Sequence, residues 1–267
     1  MRPSRVKAKL QRNEPVLVTT LHLTDPSLFE LVSLMGFDCI WMDMEHHSYS
    51  LETAAHLMRA ARVGTADILA RPAKGEFMRM GRMLEAGAQG IMYPRCDDAA
   101  EAAEAVRWSK FAPQGERGID AANADNPYLT MPLAEYVAEA NRQTFLAIQI
   151  EDPRALEQAD EIAAVEGVDV LFLGPGDFSI LSGIPGQFGH RLIQEAVDKV
   201  AQAARKAGKH WGCPSFSKEH AKELMEKGAR FIPHQADILL VKAGMERVRD
   251  DFKPLGFTFD DSRLSGG

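Results

Sequence analysis

The sequence predicts a (β/α)8 barrel of the TIM type, an α/β fold in which eight parallel strands alternate with helices. Two observations support this prediction. Eight short apolar runs alternate with longer helical runs along most of the 267 residues. The apolar runs are nearly continuous, as expected of parallel strands that are buried on both faces.

The predicted elements are justified in chain order by their length and periodicity. Short apolar runs predict strands at 16–21, 38–43, 67–71, 90–94, 145–151, 170–174, 210–214 and 230–234. Longer runs with helical spacing predict helices at 27–36, 51–62, 76–87, 99–109, 192–208 and 217–229. Several of these helices end at glycine, a frequent C-cap. A doubly wound open sheet is the competing fold, but no G-x-G-x-x-G motif follows the first strand.

The widest gap between predicted elements lies at 110–131, "KFAPQGERGIDAANADNPYLTM". It is rich in Pro, Gly and Asn and too long for a plain connection, so a functional loop or a subunit contact is expected. No internal repeat or linker divides the chain. Residues 1–257 are therefore predicted to form a single barrel domain, and 258–267 a frayed tail.

Composition excludes several classes of function. The net charge is -7 and no long basic cluster occurs, which argues against nucleic-acid binding. No run approaches the ~18 apolar residues of a membrane span. The basic start, "MRPSRVKAKLQRNEP", has no apolar h-region and is not expected to be a secretory signal. Cys39, Cys96 and Cys213 are scattered, which suits a reducing cytoplasm and argues against a disulfide or zinc framework.

Polar side chains collect at the carboxyl ends of the predicted strands. They are Asp43, Glu45, His46, His47, Arg71, Gln149, Glu151, Asp177 and His234. Chemistry in a barrel takes place at these ends of the strands. If the barrel is right, carboxylates, an arginine and a histidine converge on one face of it.

Several of these residues also have a purely structural explanation. Asp177 could be an acid in the first turn of a helix. Arg71 precedes a proline, cannot be helical and could lie at the surface. His46 and His47 could be solvated loop residues, and this interpretation is preferred for His47. Glu151 differs, because the next residue, an aspartate, is the better helix cap and leaves Glu151 without a structural role.

The residue types suit metal-assisted chemistry on a 2-oxo acid. Two carboxylates leave most positions of an octahedral Mg²⁺ or Mn²⁺ ion open for waters and a bidentate oxygen ligand. Such an ion can act as a Lewis acid on a keto oxygen, and an arginine can add positive charge there. A histidine can take and return a hydroxyl proton. Together they indicate carbon–carbon cleavage or formation beside a keto acid.

A Schiff-base aldolase is the first rival mechanism. It requires a lysine inside the barrel near the carboxyl end of a strand. Most lysines fall on predicted helices or at strand starts, and only Lys74, in the loop after the third strand, is near such an end. The sequence therefore favours the metal-dependent mechanism.

Five stretches resemble the HpcH/HpaI aldolases, class II pyruvate aldolases of the phosphoenolpyruvate/pyruvate barrel superfamily. They are "DMEHHSYS" at 43–50, "ARPAKGEFMRMGRMLEAGAQGIMYPRCDDAAEA" at 70–102, "IQIED" at 148–152, "VEGVDVLFLGPGDFS" at 165–179 and "GARFIPHQAD" at 228–237. The resemblance covers most of the chain. It implies reversible cleavage of a 4-hydroxy-2-oxo acid to pyruvate, or a close 2-oxo acid, and an aldehyde.

The resemblance also implies residue roles. The implied catalytic residues are the histidine of the D-x-E-H stretch, the arginine that stabilises the transition state and two acids that support the histidine: His46, Arg71, Asp43 and Glu85. The implied metal ligands are Glu151 and Asp177. The implied contacts to the keto acid are Arg71, Gln149, Gly174, Pro175, Gly176 and Asp177.

The implied cofactor is a divalent metal ion, Mg²⁺, Mn²⁺ or Co²⁺. Similar enzymes are homohexamers, trimers of dimers with a swapped last helix, that act on small molecules. The rival functions in the same superfamily are a citrate-lyase-β-like or malyl-CoA-lyase-like enzyme and an oxaloacetate decarboxylase. A non-catalytic barrel is a further alternative, but it would be expected to have lost part of this residue set.

The sequence departs from the family pattern at four places. "GPGD" stands in place of the usual "GPAD", Glu85 in place of aspartate, and Thr20 where some members have tryptophan, and the 115–126 loop shares only its "RG" with similar enzymes. These positions face the aldehyde half of the substrate in similar enzymes. The departures leave the acceptor aldehyde open.

Overall fold

A computed structural model of the chain describes residues 1–260. The described residues form a closed barrel of parallel strands, in which each strand pairs with the next and the last pairs with the first. The strands are β1 Val16–Leu21, β2 Cys39–Asp43, β3 Asp67–Arg71, β4 Gly90–Tyr93, β5 Phe145–Ile150, β6 Val170–Leu173, β7 His210–Gly212 and β8 Phe231–Ala236. The (β/α)8 prediction is confirmed, and the open doubly wound sheet is excluded by the closure of β8 on β1.

Helices surround the barrel and fill the connections between the strands. They are α1 Arg5–Gln11, α2 Pro26–Leu34, α3 Leu51–Ala60, α4 Phe77–Ala86, α5 Ala99–Ser109, α6 Leu133–Gln143, α7 Pro153–Glu157, α8 Ala159–Ala164, α9 Pro175–Leu181, α10 Arg191–Lys206, α11 Lys218–Glu226 and α12 Asp237–Phe252. Local capping sets several starts: Ser50 accepts from the Thr53 backbone N–H before α3, and Asp152 accepts from that of Arg154 before α7. Asp152 is thus the helix cap, as predicted, and Glu151 has another role.

Two strands differ in length from their predictions. β7 ends at Gly212 rather than at 214, because Pro214 has no N–H to donate to a sheet. β8 continues to Ala236, two residues past its predicted end. There Gln235 has a φ of 63°, and the β1–β8 register shifts between Val18 and Thr20. The rim between β8 and β1 is therefore irregular.

The barrel interior is packed with apolar side chains and closed at its amino-terminal end by α1. Val6 and Leu10 of α1 belong to the same cluster as Leu69 and Phe172 of the strands. Each such side chain contributes about 1.5–3 kcal/mol when it is fully buried. A second and larger cluster fills the layer between the strands and the outer helices. The packed interior leaves the carboxyl-terminal rim as the face where polar groups can gather.

A buried aspartate lies beneath this core, at the start of β3. Asp67 accepts hydrogen bonds from Ser4 Oγ at 2.6 Å and from the Val6 backbone N–H at 2.8 Å. Burial raises the pKa of Asp67 to about 6, although these hydrogen bonds oppose the shift. The acid ties α1 to the bottom of the barrel.

The long 110–131 segment contains only a short 3-10 turn, Pro127–Leu129. It is ordered by a buried ion pair, in which Arg117 Nη2 donates to Asp125 Oδ2 at 2.7 Å. The hydroxyl of Tyr136, on α6, donates to the same carboxylate. The guanidinium of Arg117 also lies over the ring of Phe111, 4.4 Å from its centroid. The segment is therefore a packed loop rather than an open connection.

The last described helix, α12, lies at the periphery of the barrel. Asp237, its first residue, is its only buried residue. Its exposed apolar side chains include Leu239, Leu240, Met245 and Val248. No helix within residues 1–260 is long and apolar enough to cross a membrane. Of the predicted tail, 258–260 have no regular secondary structure and 261–267 lie outside the described residues.

Candidate active site

The carboxyl-terminal rim of the barrel holds a continuous hydrogen-bonded chain of polar side chains. Arg71, at the end of β3, donates from Nε to Asp43 Oδ1 at 3.0 Å and from Nη2 to Asp43 Oδ2 at 2.7 Å. Its Nη1 donates to Gln149 Oε1 at 3.3 Å, and Gln149 Nε2 donates to Glu151 Oε1 at 2.7 Å. This series of hydrogen bonds joins the ends of β2, β3 and β5 and brings together four of the predicted site residues.

Electrostatics keeps both members of the Asp43–Arg71 pair charged. Burial works against the charged forms of both groups, but their mutual hydrogen bonds and charges outweigh it. The pKa of Asp43 is consequently lowered and that of Arg71 is raised. The guanidinium carbon also lies 4.8 Å from the ring centroid of Trp41. Arg71 is therefore a fixed, buried cation and not a surface arginine.

Glu151 immediately follows β5 and is buried. Its Oε1 accepts from Gln149, and its Oε2 accepts from the Arg95 backbone N–H at 3.0 Å. Burial is the largest cause that raises the pKa of Glu151, and the charge of Asp177 adds to it while Arg71 opposes it. The resulting pKa is about 8. A nearby positive charge would stabilise the ionised form of this buried carboxyl group.

The turn from β6 into α9 brings a second carboxylate towards Glu151. A Cβ at Gly174 would lie 2.1 Å from Glu151 Oε1, so the missing side chain is what lets the acid approach. Pro175 begins α9, and Asp177 lies half-buried in its first turn without a hydrogen bond that caps the helix. The charge of Asp177 acts on both Glu151 and Glu45. Asp177 is therefore close enough to Glu151 for its charge to raise the pKa of that acid.

These residues fit a hard divalent cation. No group of three or more His, Cys, Asp or Glu side chains within residues 1–260 could hold a metal ion by itself. Glu151 and Asp177 offer oxygen donors only, and burial together with the charge of Asp177 raises the pKa of Glu151, which a bound cation would offset. Two carboxylates with open positions for other oxygen ligands are the usual surroundings of Mg²⁺ or Mn²⁺.

The loop after β2 places His46 at the mouth of this rim. Asp43 Oδ1 accepts from the backbone N–H groups of Glu45 at 3.1 Å and of His46 at 3.3 Å, which folds the loop back over the strand end. The imidazole Nε2 of His46 lies 3.6 Å from Glu45 Oε2, and the side chain is 57% exposed. Asp43 therefore positions the backbone of His46, while Glu45 faces its ring.

Glu45 was not among the residues assigned a role from the sequence. Its Oε2 lies 3.3 Å from Arg71 Nε and 3.6 Å from the His46 ring, and its side chain is only 9% exposed. Burial raises its pKa, although Arg71 and His46 oppose the shift. Its place beside His46 in the D-x-E-H stretch was the available signal. Glu45 therefore lies between Arg71 and His46.

His47 is not the solvated loop residue that was expected. Its ring stacks on that of His22, with the centroids 3.9 Å apart and the planes 23° from parallel. His22 immediately follows β1 and was missed in the sequence. Its signal was a titratable side chain directly after a predicted strand, the same signal that identified Asp43. Asp43 Oδ2 lies 3.9 Å from His47 Nε2.

Glu85 lies on α4, and its contacts are with the long loop. Its Oε1 accepts from the Asp120 backbone N–H at 3.3 Å. The charge of Arg117 lowers its pKa, and the charge of Asp125 raises it. Burial raises its pKa. Among the described residues, no hydrogen bond or ion pair connects Glu85 with His46. The structure therefore does not bring Glu85 to the histidine within one chain.

The lysines do not supply a Schiff-base nucleophile at this rim. Lys74 Nζ donates to the Arg95 carbonyl at 2.6 Å and pairs with Asp97 at 2.7 Å and with Glu101 at 3.2 Å. Burial opposes its charge, but these partners outweigh it and raise its pKa. Lys110 is buried with a pKa lowered to about 8, yet it lies at the amino-terminal end of β5.

Comparison with known proteins decides the family. Residues 18–242 match the sequence profile of the HpcH/HpaI aldolase/citrate lyase family. The chain belongs to this family. Its class II aldolases generally depend on a divalent metal, and membership supports a carbon–carbon lyase activity for the chain.

Named relatives extend over nearly the whole chain. A hydroxypyruvate/pyruvate aldolase of Pseudomonas aeruginosa is 32% identical over 94% of this chain and 93% of its own length. A 5-keto-4-deoxy-D-glucarate aldolase of Klebsiella pneumoniae is 28% identical over 94% of this chain and 97% of its own length. The HpcH/HpaI family therefore includes several aldolases with different substrates at similar distances from this chain.

Solved structures agree with the fold and with the family. An HpcH/HpaI aldolase from Desulfitobacterium hafniense DCB-2 superposes with a TM-score of 0.87, at 30% identity over 92% of this chain and 96% of its own. The citrate synthase SbnG superposes with a TM-score of 0.85, at 25% identity over 94% and 98%. The same barrel thus serves both aldolases and a citrate synthase among these similar structures.

Proposed function

We propose that the protein is a class II aldolase that reversibly cleaves a 4-hydroxy-2-oxo acid into pyruvate, or a close 2-oxo acid such as hydroxypyruvate, and an aldehyde. The observation that carries the proposal is the chain of hydrogen bonds from Asp43 through Arg71 and Gln149 to Glu151. It joins the cation of Arg71 directly to Asp43 and, through Gln149, to Glu151 at one rim. The names of the aldolase relatives support the reaction class.

Glu151 and Asp177 would hold the divalent metal, Mg²⁺, Mn²⁺ or Co²⁺. When bound, such an ion supplies Lewis-acid polarisation of a keto oxygen. The backbone of Gly174, Pro175 and Gly176 would contact the carboxylate half of the keto acid, because this turn borders Glu151. The amide of Gln149 would contact the same half while it keeps Glu151 oriented.

Arg71 would stabilise the negative charge that develops on the keto oxygen as the carbon–carbon bond breaks. Its guanidinium is held by Asp43 and needs no rearrangement during the reaction, and a fixed donor is worth most in a site of low dielectric. Two of its nitrogens are engaged by Asp43, so Nη1, on the Gln149 side, is the nitrogen best placed for substrate. Arg71 thus both binds the 2-oxo acid and assists catalysis.

His46 would accept the proton of the C4 hydroxyl during cleavage. Arg71 and the carboxylates serve the keto end, and the exposed ring of His46 lies at the mouth of the same rim. Asp43 positions its backbone, and Glu45 Oε2 faces its ring from 3.6 Å. Glu85 makes its contacts with the long loop, so we propose that it would support His46 only across a contact between two copies of the chain.

We propose that the protein is a homo-oligomer, a hexamer built as a trimer of dimers. The support is α12, which exposes an apolar row that includes Leu240, Met245 and Val248 and packs little of it on its own barrel. Residues 1–257 are proposed as one domain of this assembly. A cytoplasmic location is proposed because Cys39, Cys96 and Cys213 are all free and buried.

A citrate-forming or citrate-cleaving enzyme is the second candidate, because the citrate synthase SbnG shares the barrel at 25% identity. The test is a panel of 4-hydroxy-2-oxo acids, with pyruvate release measured in the presence and absence of EDTA. We expect EDTA-sensitive pyruvate formation with at least one compound. Citrate formation from oxaloacetate and an acetyl donor such as acetyl-CoA, without any aldehyde release from the 4-hydroxy-2-oxo acids, would support the second candidate instead.

A further inference from the structure

The rim carries a second group of titratable side chains that the proposed reaction does not use. His22, after β1, and His47, in the loop after β2, stack face to face with their ring centroids 3.9 Å apart. Because β1 and β2 are neighbours in the barrel, the pair lies on the same rim as Asp43. Stacked imidazoles at a barrel rim need an explanation beyond packing, since both remain partly exposed.

The pair is held in place by the backbone on either side of it. The buried carboxylate of Asp237 accepts from the backbone N–H groups of His22 at 2.9 Å, Leu23 at 2.8 Å and Ile238 at 2.7 Å. Tyr49 Oη, two residues after His47, donates to the Leu21 carbonyl at 2.7 Å. These bonds fix the two loops against each other, so the rings are preorganised rather than free to turn away.

The imidazole nitrogens of the pair have no hydrogen-bond partner among residues 1–260. His22 Nδ1 lies 3.9 Å from Asp237, and His47 Nε2 lies 3.9 Å from Asp43. Both contacts are longer than a hydrogen bond. The side chains are 23% and 36% exposed, which leaves ring edges open to a ligand. A preorganised polar edge with unused donors and acceptors is the composition of a binding subsite.

We propose that His22 and His47 form the subsite that binds hydroxyl groups on the aldehyde half of the substrate. This inference rests on the proposed aldolase function. Asp43 lies between the pair and Arg71, so a substrate whose keto end lies at Arg71 can extend its other end towards the two rings. The pair thus determines acceptor specificity and takes no part in cleavage.

The charges around the pair favour a neutral, hydroxylated tail over an anionic one. Burial lowers the pKa of His22, and the neighbouring His47 lowers it further while Asp237 opposes the shift, so the neutral form of the ring is favoured. A neutral imidazole offers one donor and one acceptor, which matches a hydroxyl group. The carboxylate of Asp237, which lies 3.9 Å from His22 Nδ1, would repel an anionic tail. A hydroxyaldehyde is therefore the acceptor class that fits.

The test compares aldol addition of pyruvate to glyceraldehyde, glycolaldehyde, propanal and succinic semialdehyde. His22→Phe and His47→Phe keep an aromatic ring in the stack but remove its nitrogens. Each should raise KM for the two hydroxyaldehydes about fivefold, the equivalent of one lost neutral hydrogen bond. KM for propanal and the rate of oxaloacetate decarboxylation should not change. His22→Gln, which keeps a donor and an acceptor, should recover part of the loss.

His56→Phe is the matched control, because this histidine lies exposed on α3 away from the rim. It should leave every acceptor unaffected. Equal changes for propanal and glyceraldehyde in the His22 and His47 variants, or a change confined to succinic semialdehyde, would overturn the inference. Wild-type enzyme that neither adds pyruvate to any aldehyde nor decarboxylates oxaloacetate would refute the aldolase proposal itself, and this inference with it.

Discussion

Arg71 and Asp43 form a buried, two-point hydrogen-bonded pair at the ends of adjacent strands, with separations of 3.0 Å from Nε to Oδ1 and 2.7 Å from Nη2 to Oδ2. The same Asp43 Oδ1 accepts from the backbone of Glu45 and His46. One carboxylate therefore fixes both the plane of the arginine and the loop that bears the histidine. The two proposed catalytic side chains are coupled through it.

Replacement of Arg71 should reduce turnover more than substrate affinity. Arg71→Ala removes the donor to the developing negative charge, and kcat for retro-aldol cleavage should fall by about 10² or more. Arg71→Lys keeps the charge but loses the two-point contact with Asp43, so it should rescue little. Arg154→Lys, at an exposed position, is the control. Near-normal kcat in Arg71→Ala would assign the arginine a structural role only.

Replacement of His46 should separate two half-reactions. His46→Ala should nearly abolish retro-aldol cleavage, because that reaction needs a base at the C4 hydroxyl. Decarboxylation of oxaloacetate needs no such base and should persist in part. Both rates can be followed by coupled assays, with His56→Ala as the control. Equal loss of both reactions would mean that His46 maintains the site rather than acting as the base.

Removal of either carboxylate should abolish metal binding without unfolding the barrel. Glu151→Gln and Asp177→Asn each remove half of the proposed ligand set. Titration with Mn²⁺, monitored by electron paramagnetic resonance, should show tight binding in the wild type and none in the variants. Circular dichroism should remain unchanged. The control is Asp152→Asn, which alters the adjacent helix cap and should keep its affinity for Mn²⁺. Unchanged Mn²⁺ binding in both Glu151→Gln and Asp177→Asn would refute the assignment of the ligands.

Burial of Asp67 should make stability fall as the pH rises. Its pKa is about 6 in the folded chain against an ordinary 3.8. Because the folded-state pKa is the higher, the contribution is fully present below pH ~4 and is lost as the pH rises through about 6, by about 3 kcal/mol. The free energy of unfolding of Asp67→Asn should therefore decline less than that of the wild type between about pH 4 and pH 8.

Urea denaturation at several pH values measures this difference. Asp160→Asn, whose carboxylate is half exposed, should follow the wild-type pH profile. Parallel profiles for Asp67→Asn and the wild type would show that the buried acid does not titrate in this range.

A charged residue on α12 should disrupt the proposed assembly. Leu240 and Met245 are 55% and 67% exposed in the single chain. Leu240→Glu together with Met245→Glu should shift the protein to smaller species in light scattering, because charges cannot be buried without partners at an apolar contact. Lys242→Glu, on the same helix, controls for charge alone. A monomeric wild type would contradict the proposal.

The sequence predicted the barrel well because its strands are buried on both faces, so each appears as a continuous apolar run. All eight strands were found within two residues of their predicted ends. The prediction that Asp152 rather than Glu151 caps a helix was confirmed as well. These features depend on local sequence, which periodicity and capping rules describe directly.

The features that were missed depend on contacts between distant segments. The stacking of His47 on His22 requires the exact relation of two loops, and the approach of Glu45 to Arg71 requires the loop after β2 to fold back. The extended part of β8 contains Gln235, whose φ is 63°. Periodicity describes none of these, because each is set by packing across neighbouring strands.

The two glycines of the "GPGD" turn differ in how much change they permit. A methyl group at Gly174 would collide with Glu151, whereas a Cβ at Gly176 would meet no described heavy atom within 4 Å apart from its chain neighbours and the backbone of its own helix. A side chain at position 176 would therefore not collide with the neighbouring acid, although the backbone there is proposed to contact the keto acid. Position 174 cannot accept any side chain unless Glu151 moves. A glycine at this position can therefore be used to identify other sequences that keep the same arrangement of carboxylates.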